Sequence, residues 1–132
     1  MQTLSVRTRS RTELVDITRE VAAALAEMKA RGGACVVYVP HTTAGVTINE
    51  NADPTVCSDI EGALDLLVPW DGPYRHTEGN SAAHVKSTLV GSSVTVPVEG
   101  GQLVLGTWQG IYFCEFDGPR TRKVHVQVVG SA

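Results

Sequence analysis

Three of the four histidines in this sequence, His41, His76 and His84, stand beside turns or helix starts, where side chains converge on clefts. Three neutral imidazoles with one open position form a common catalytic zinc arrangement. The spacing is long, with 34 residues between the first pair and seven between the second, so no local HExxH-type motif is present. The same residues suit an anion. His41, His84 and Lys86 offer donors to a phosphate, as do the hydroxyls of Thr42, Thr43, Ser87 and Thr107. A helix opening at Ser81 offers free amides, and Gly106 and Gly110 allow close backbone approach. Glu50 and Glu78 are the carboxylates best placed to act as a general base or to orient a ligating histidine. Asn51 and Gln109 add amides. The metal reading, zinc-like or magnesium, and the phosphate reading both stay open here, and with them a metal- or phosphate-binding protein without turnover and a metal-dependent hydrolase using a bound hydroxide.

Each residue also has a plainer reading. Thr and Asn in loops often satisfy nearby backbone groups, and loop glutamates often pair with surface cations. Asp53 before Pro54 is better explained as a helix cap than as a catalyst. Trp108, between strands, is expected in the core. His125 falls on the face of a strand opposite Val124, Val126 and Val128, and is left out of the site. No nucleophile stands out: Ser87 is not in a GxSxG elbow, and Cys57 has no local basic partner. There is no P-loop and no dinucleotide fingerprint.

The elements that must hold these residues follow from periodicity. Residues 2–8 alternate weakly and predict a strand. Ile17, Val21, Ala24, Leu25 and Met28 recur at helical spacing, predicting a helix over 17–30 that Gly32-Gly33 ends. Ala34–Val39 reads as a buried strand that Pro40 stops, and Val46–Ile48 as a short second one. A helix begins at Asp53-Pro54 and closes at Pro69. Residues 69–80 form a long loop, and Ser81 is expected to cap a helix to Val90. Four strands follow: 94–98, 102–105, 111–116 and 123–129. The elements read β-α-β-β-α-α and then four strands. That is an α+β domain spanning 1–132, with a largely antiparallel sheet core and helices grouped on one side.

A chain of 132 residues forms one domain with a real core. The net charge of −3 argues against a general nucleic-acid surface. Three unclustered cysteines argue against a disulfide framework; Cys35 and Cys114 lie in apolar runs and are expected to be buried. No run reaches the ~18 apolar residues of a membrane span, and nothing reads as a signal peptide, so a cytoplasmic protein is expected.

The stretch HTTAGVTINENADPT, residues 41–55, resembles the signature of the YjbQ-like family of small bacterial and archaeal proteins. The likeness continues through Arg75–Asn80, Ala83–Ser87 and Gly106–Ile111, in the same order. It implies the same α+β class in the form of a mixed, largely antiparallel β-sandwich with helices packed on one side, a homotrimer and a secondary thiamine-phosphate synthase activity. That reaction joins a hydroxymethylpyrimidine diphosphate to a thiazole phosphate and releases diphosphate. It also favours convergence of His41, His76 and His84, since all three match motif positions. A small phosphorylated substrate is the implied partner. Covering exposed sheet edges gives a small β-rich chain its own motive to associate.

Overall fold

A computed structural model describes residues 1–130. Among these, the elements run β1 (Gln2–Arg7), β2 (Glu13–Asp16), α1 (Thr18–Glu27), β3 (Gly32–Tyr38), β4 (Ala44–Glu50), α2 (Pro54–Leu67), α3 (Ser81–Val90), β5 (Ser93–Glu99), β6 (Gln102–Leu103), β7 (Gln109–Glu115) and β8 (Thr121–Val129). One sheet has the order β1-β8-β3-β5-β6 and the other β2-β7-β4. Every pairing among the described residues is antiparallel. The α+β class read from periodicity is the class observed.

The main core lies between the sheets. Cys35, Val37, Val96, Val124 and Val126 of the larger sheet meet Val46, Ile111 and Phe113 of the smaller one, with Val21, Ala24 and Leu25 of α1 packed in. Each buried Val, Leu, Ile or Phe among these, taken from water, contributes about 1.5–3 kcal/mol. A second cluster forms where Ala83 of α3 meets Cys114 and Phe116, with Leu64 and Trp70 packed against it. Strand β7 is thus buried on both faces, which its unbroken apolar run anticipated. Cys35 and Cys114 are buried, at 0% and 1% exposure. Asp53 caps α2 as expected, its Oδ1 accepting from the Thr55 amide at 2.9 Å. No helix among the described residues is long and apolar enough to cross a membrane.

Several local expectations change. Strand β2 is absent from the elements expected from periodicity; its adjacent Leu14 and Val15 show no alternation, and pairing with β7 makes it a strand. Helix α1 ends at Glu27, with Lys29 taking the positive φ of 56° that the glycines were expected to supply. Gly32-Gly33 instead begins β3. Gly33 has φ +92°, and a Cβ there would stand 2.3 Å from the Val129 carbonyl oxygen. Gly33→Ala is therefore expected to destabilise the chain by at least about 1–3 kcal/mol, read by urea denaturation. An unchanged midpoint would mean that the end of β8 yields freely.

Period-2 alternation places two charges where apolar residues belong. Glu115 shares a face of β7 with Ile111 and Phe113, and Arg122 shares a face of β8 with Val124 and Val126. The two meet between the sheets at one end of the sandwich, and that end carries the candidate site.

Candidate functional site

A cleft of about 500 Å³ opens at this end, lined by Pro40, His41, Thr42, Thr43, His76, Glu78, Asn80, His84, Asp117, Arg120 and Arg122. His41 leaves the end of β3 just after Pro40. His76 and Glu78 come from the loop before α3, and His84 from the opening turns of that helix. The three histidines therefore share one cleft. The rings of His76 and His84 meet edge to face, centroids 5.5 Å apart and planes at 88°. Glu78 Oε2 stands 3.8 Å from His76 Nε2, beyond hydrogen-bonding distance.

His41 is held differently. The Lys123 backbone amide donates to its Nε2 at 2.9 Å. A nitrogen that accepts a hydrogen bond carries no proton, so the neutral ring keeps its proton on Nδ1. Burial, and then the nearby Arg122 guanidinium, push the His41 pKa below its ordinary value, so the ring is neutral at neutral pH. In that tautomer His41 is a hydrogen-bond donor, not a metal ligand, unless it gives up the Lys123 amide. Among the described residues, no three His, Cys, Asp or Glu side chains are grouped to hold one metal ion. His76, His84 and the Glu78 carboxylate line the cleft with donors a divalent cation takes, but they would have to draw together to hold one.

Behind the cleft lies a buried ion pair. Arg122, 3% exposed, donates from Nε to Glu115 Oε1 at 2.8 Å and from Nη2 to Glu115 Oε2. The same Nη2 reaches the Thr43 hydroxyl at 2.8 Å. Glu115, fully buried, also accepts from the Thr8 hydroxyl at 2.8 Å and the Asp117 amide at 3.0 Å. Burial alone would raise the Glu115 carboxyl, but these hydrogen bonds, Arg122's foremost, outweigh it and hold the pKa below the usual value. The network fixes Thr43 and the chain that follows His41. In front of it, the half-exposed Arg120 bonds the Asp117 carboxylate at 3.1 Å, and Asn80 Nδ2 bonds the same oxygen at 2.9 Å. Asn80 occupies the N-cap position expected of Ser81, but its amide goes to Asp117, so no side chain caps α3. Asn80 Oδ1 is buried at the cleft wall with no hydrogen-bond partner among the described residues.

Of the other candidates, Thr42 and Thr43 line the cleft. Ser87 lies beside it, but its hydroxyl donates to the Ala44 carbonyl at 2.8 Å and ties α3 to β4. Lys86 lies two positions after His84, about 200° around the helix, and faces a different cleft. Glu50, Asn51, Thr107 and Gln109 are not brought to the histidines within this chain. Glu50 pairs with Gln109 at the far end of β4, a strand whose seven residues span about 20 Å. There the Asn51 amide bonds the Trp108 carbonyl, Gln109 Oε1 accepts from the Gly106 amide, and Thr107 sits exposed in the turn. Trp108, expected in the core, is 63% exposed. Sequence reasoning missed Asp117, Arg120 and Arg122. One signal was available: Glu115 and Arg122 are charges at inward positions of apolar strands, and each needs a buried partner.

The fold and cleft define a class: a small two-sheet α+β protein with an open pocket of imidazoles and guanidiniums at one end of the sandwich. Residues 2–131 match the profile of the UPF0047 protein YjbQ-like family. The chain belongs to this family. It is 56% identical over 131 residues to the UPF0047 protein YugU of Bacillus subtilis, covering 98% of this chain and 99% of that one. The UPF0047 protein MJ1081 of Methanocaldococcus jannaschii is 54% identical over 125 residues, covering 95% and 91%. A YjbQ/UPF0047 protein of Clostridium acetobutylicum has a crystal structure that superposes with a TM-score of 0.95 at 52% identity, covering 98% of this chain and all of that one. At 32% identity, a protein of Sulfolobus solfataricus described as YbjQ-like still superposes with a TM-score of 0.94, covering 98% and 96%.

Proposed function

We propose that the chain is an enzyme whose cleft holds phosphorylated small molecules, and that its reaction is of the thiamine-phosphate synthase type. The observation that carries this reading is the Lys123 amide on His41 Nε2. It leaves His41 an N–H donor in a cleft that also offers the Arg120 and Arg122 guanidiniums. Guanidiniums and N–H donors match phosphate oxygens. In the proposed step a ring nitrogen of the thiazole phosphate uses its lone pair to form a C–N bond to the pyrimidine methylene. The C–O bond to diphosphate breaks, and the diphosphate leaves with that electron pair. No proton has to be removed, so the demand on the site is to stabilise charge building on the leaving group, commonly the largest catalytic term. Arg120 and His41 are placed to do this. Were a divalent cation to bind, His76, His84 and Glu78 are the residues that would hold it, and it would supply further positive charge to the leaving group. Glu50 has no part in this cleft unless a neighbouring copy supplies it.

A homotrimer in the cytoplasm fits this reading, with neither nucleic acid nor membrane as partner. Strands β1, β6, β2 and β4 end their sheets and leave edges for other copies to cover. The test is diphosphate release from the two phosphorylated substrates, alongside growth rescue of a strain lacking its main thiamine-phosphate synthase. Release by the native chain and loss of both readouts in His84→Ala are expected. Phosphate binding without any diphosphate release would make this a metal- or phosphate-binding protein without turnover.

A further inference from the structure

Helix α3 has a second chemically equipped face. Lys86, 2% exposed, is among the largest fully buried side chains of the chain. Its ammonium lies 5.9 Å from the centre of the Phe116 ring and is bonded to the Asp65 carboxylate near the end of α2. Asp65 is 59% exposed. The pair is therefore lopsided: a cation sealed in the protein is answered by an anion standing mostly in water. The contrast with Arg122 is direct, since its carboxylate partner is fully buried and three further groups share the network. Lys86 also opens onto a cleft of about 420 Å³, which it lines with Ser10, Arg11, Thr12, Asp65 and Trp70. The Arg11 guanidinium lies 4.1 Å above the Trp70 ring, a cation–π stack at the cleft wall.

We propose that this cleft is a second binding site, for a small oxyanion of the phosphate class, held between Lys86 and Arg11. A lysine ammonium has three donors, and Asp65 is its one hydrogen-bond partner among the described residues. The other two N–H groups have oxygens to find, and burial against Phe116 makes an arriving anion worth more than it would be in water. Arg11 supplies a forked donor set suited to oxyanions, and the Ser10 and Thr12 hydroxyls complete a polar wall. Asp65 is the competitor. Its exposure lets it turn to solvent when the anion takes the ammonium, so it acts as a gate and not as a permanent neutraliser.

The site is independent of the histidine cleft's role, although the two are joined by the fold. The Gly118 amide donates to the Arg11 carbonyl at 3.0 Å, and a Cβ on Gly118 would stand 2.4 Å from the Ser10 carbonyl oxygen. The turn bearing Arg11 is thus packed against the loop that carries Asp117 and Arg120.

The test uses the two tryptophans of the chain. Trp108→Phe removes the exposed indole at the far end and leaves Trp70 as the reporter. Inorganic phosphate, titrated to about 10 mM against chloride of matched ionic strength, is expected to change Trp70 emission saturably. In that background Arg11→Gln should weaken the titration about tenfold or more. Asp65→Asn should tighten it, because the competing charge is gone, whereas a merely structural ion pair predicts no change in binding. His84→Ala, in the other cleft, should leave the titration as it was. Three outcomes overturn the proposal: no saturable change, a titration insensitive to both Arg11→Gln and Asp65→Asn, or a signal lost in His84→Ala.

Discussion

Arg122→Ala is expected to cost about 3–5 kcal/mol of folding stability, the range for stripping one partner from a buried pair. Against a domain stability of about 5–15 kcal/mol this is a large fraction. The reason is what stays behind. Glu115 would remain fully buried with the Thr8 hydroxyl and the Asp117 amide as its partners. Thr43 would lose the guanidinium that holds its hydroxyl. Replacing both charges, as Glu115→Leu with Arg122→Met, should recover most of the loss, because well-packed apolar residues often match a buried pair. The recovered variant should still fail to bind phosphate in the histidine cleft, which separates stability from function. Urea denaturation with a phosphate titration reads both.

The same pair sets an acid limit. The folded Glu115 pKa lies below its unfolded value. Its contribution is therefore complete above the unfolded glutamate value, about 4.3, and is lost as pH falls through the lowered folded one. The double apolar variant should show a shallower fall in stability below that point. An Arg122→Ala loss under about 1 kcal/mol, the scale of an exposed pair, would show that water reaches Glu115.

The second large effect separates the two carboxylates. Glu78→Gln is expected to slow diphosphate release about 10–100-fold, the scale for loss of carboxylate support at a metal site. Glu50→Gln should lose little. Glu78 lines the histidine cleft, while Glu50 lies at the far end of β4, where its carbonyl accepts from the Tyr112 hydroxyl at 3.1 Å. Both variants should stay folded: Glu78 is 74% exposed, and Glu50 is tied through its backbone. The reverse result, a slow Glu50→Gln and an active Glu78→Gln, would move the chemistry to a site shared between copies. Equal, full activity in both would leave the carboxylates without a role in turnover.

The sequence by itself determined the parts. Alternation marked β5 and β8, continuous apolar runs marked β3 and β7, helical spacing marked α1 and α2, and Asp53-Pro54 marked a helix start; each is a local pattern with a local cause. It also showed that His41, His76 and His84 sit at the ends of elements, where side chains reach a cleft. Sheet order and register decided what those parts meet. A residue pattern with a period of 2 or 3.6 says which face a side chain occupies, but not which distant element lies opposite. Glu115 and Arg122 were visible as charges at inward positions, yet only the closing of two sheets makes them partners. Glu50 stood nine residues beyond His41 in a stretch that read as one site, and a seven-residue strand carries it to the other end of the sheet. Lys86 and His84 are two residues apart and point into different clefts because a helix turns about 200° between them. His41 depends on a backbone amide 82 residues away for its tautomer. That long-range contact decides whether the imidazole offers a proton or a lone pair, and only the tertiary structure could supply it.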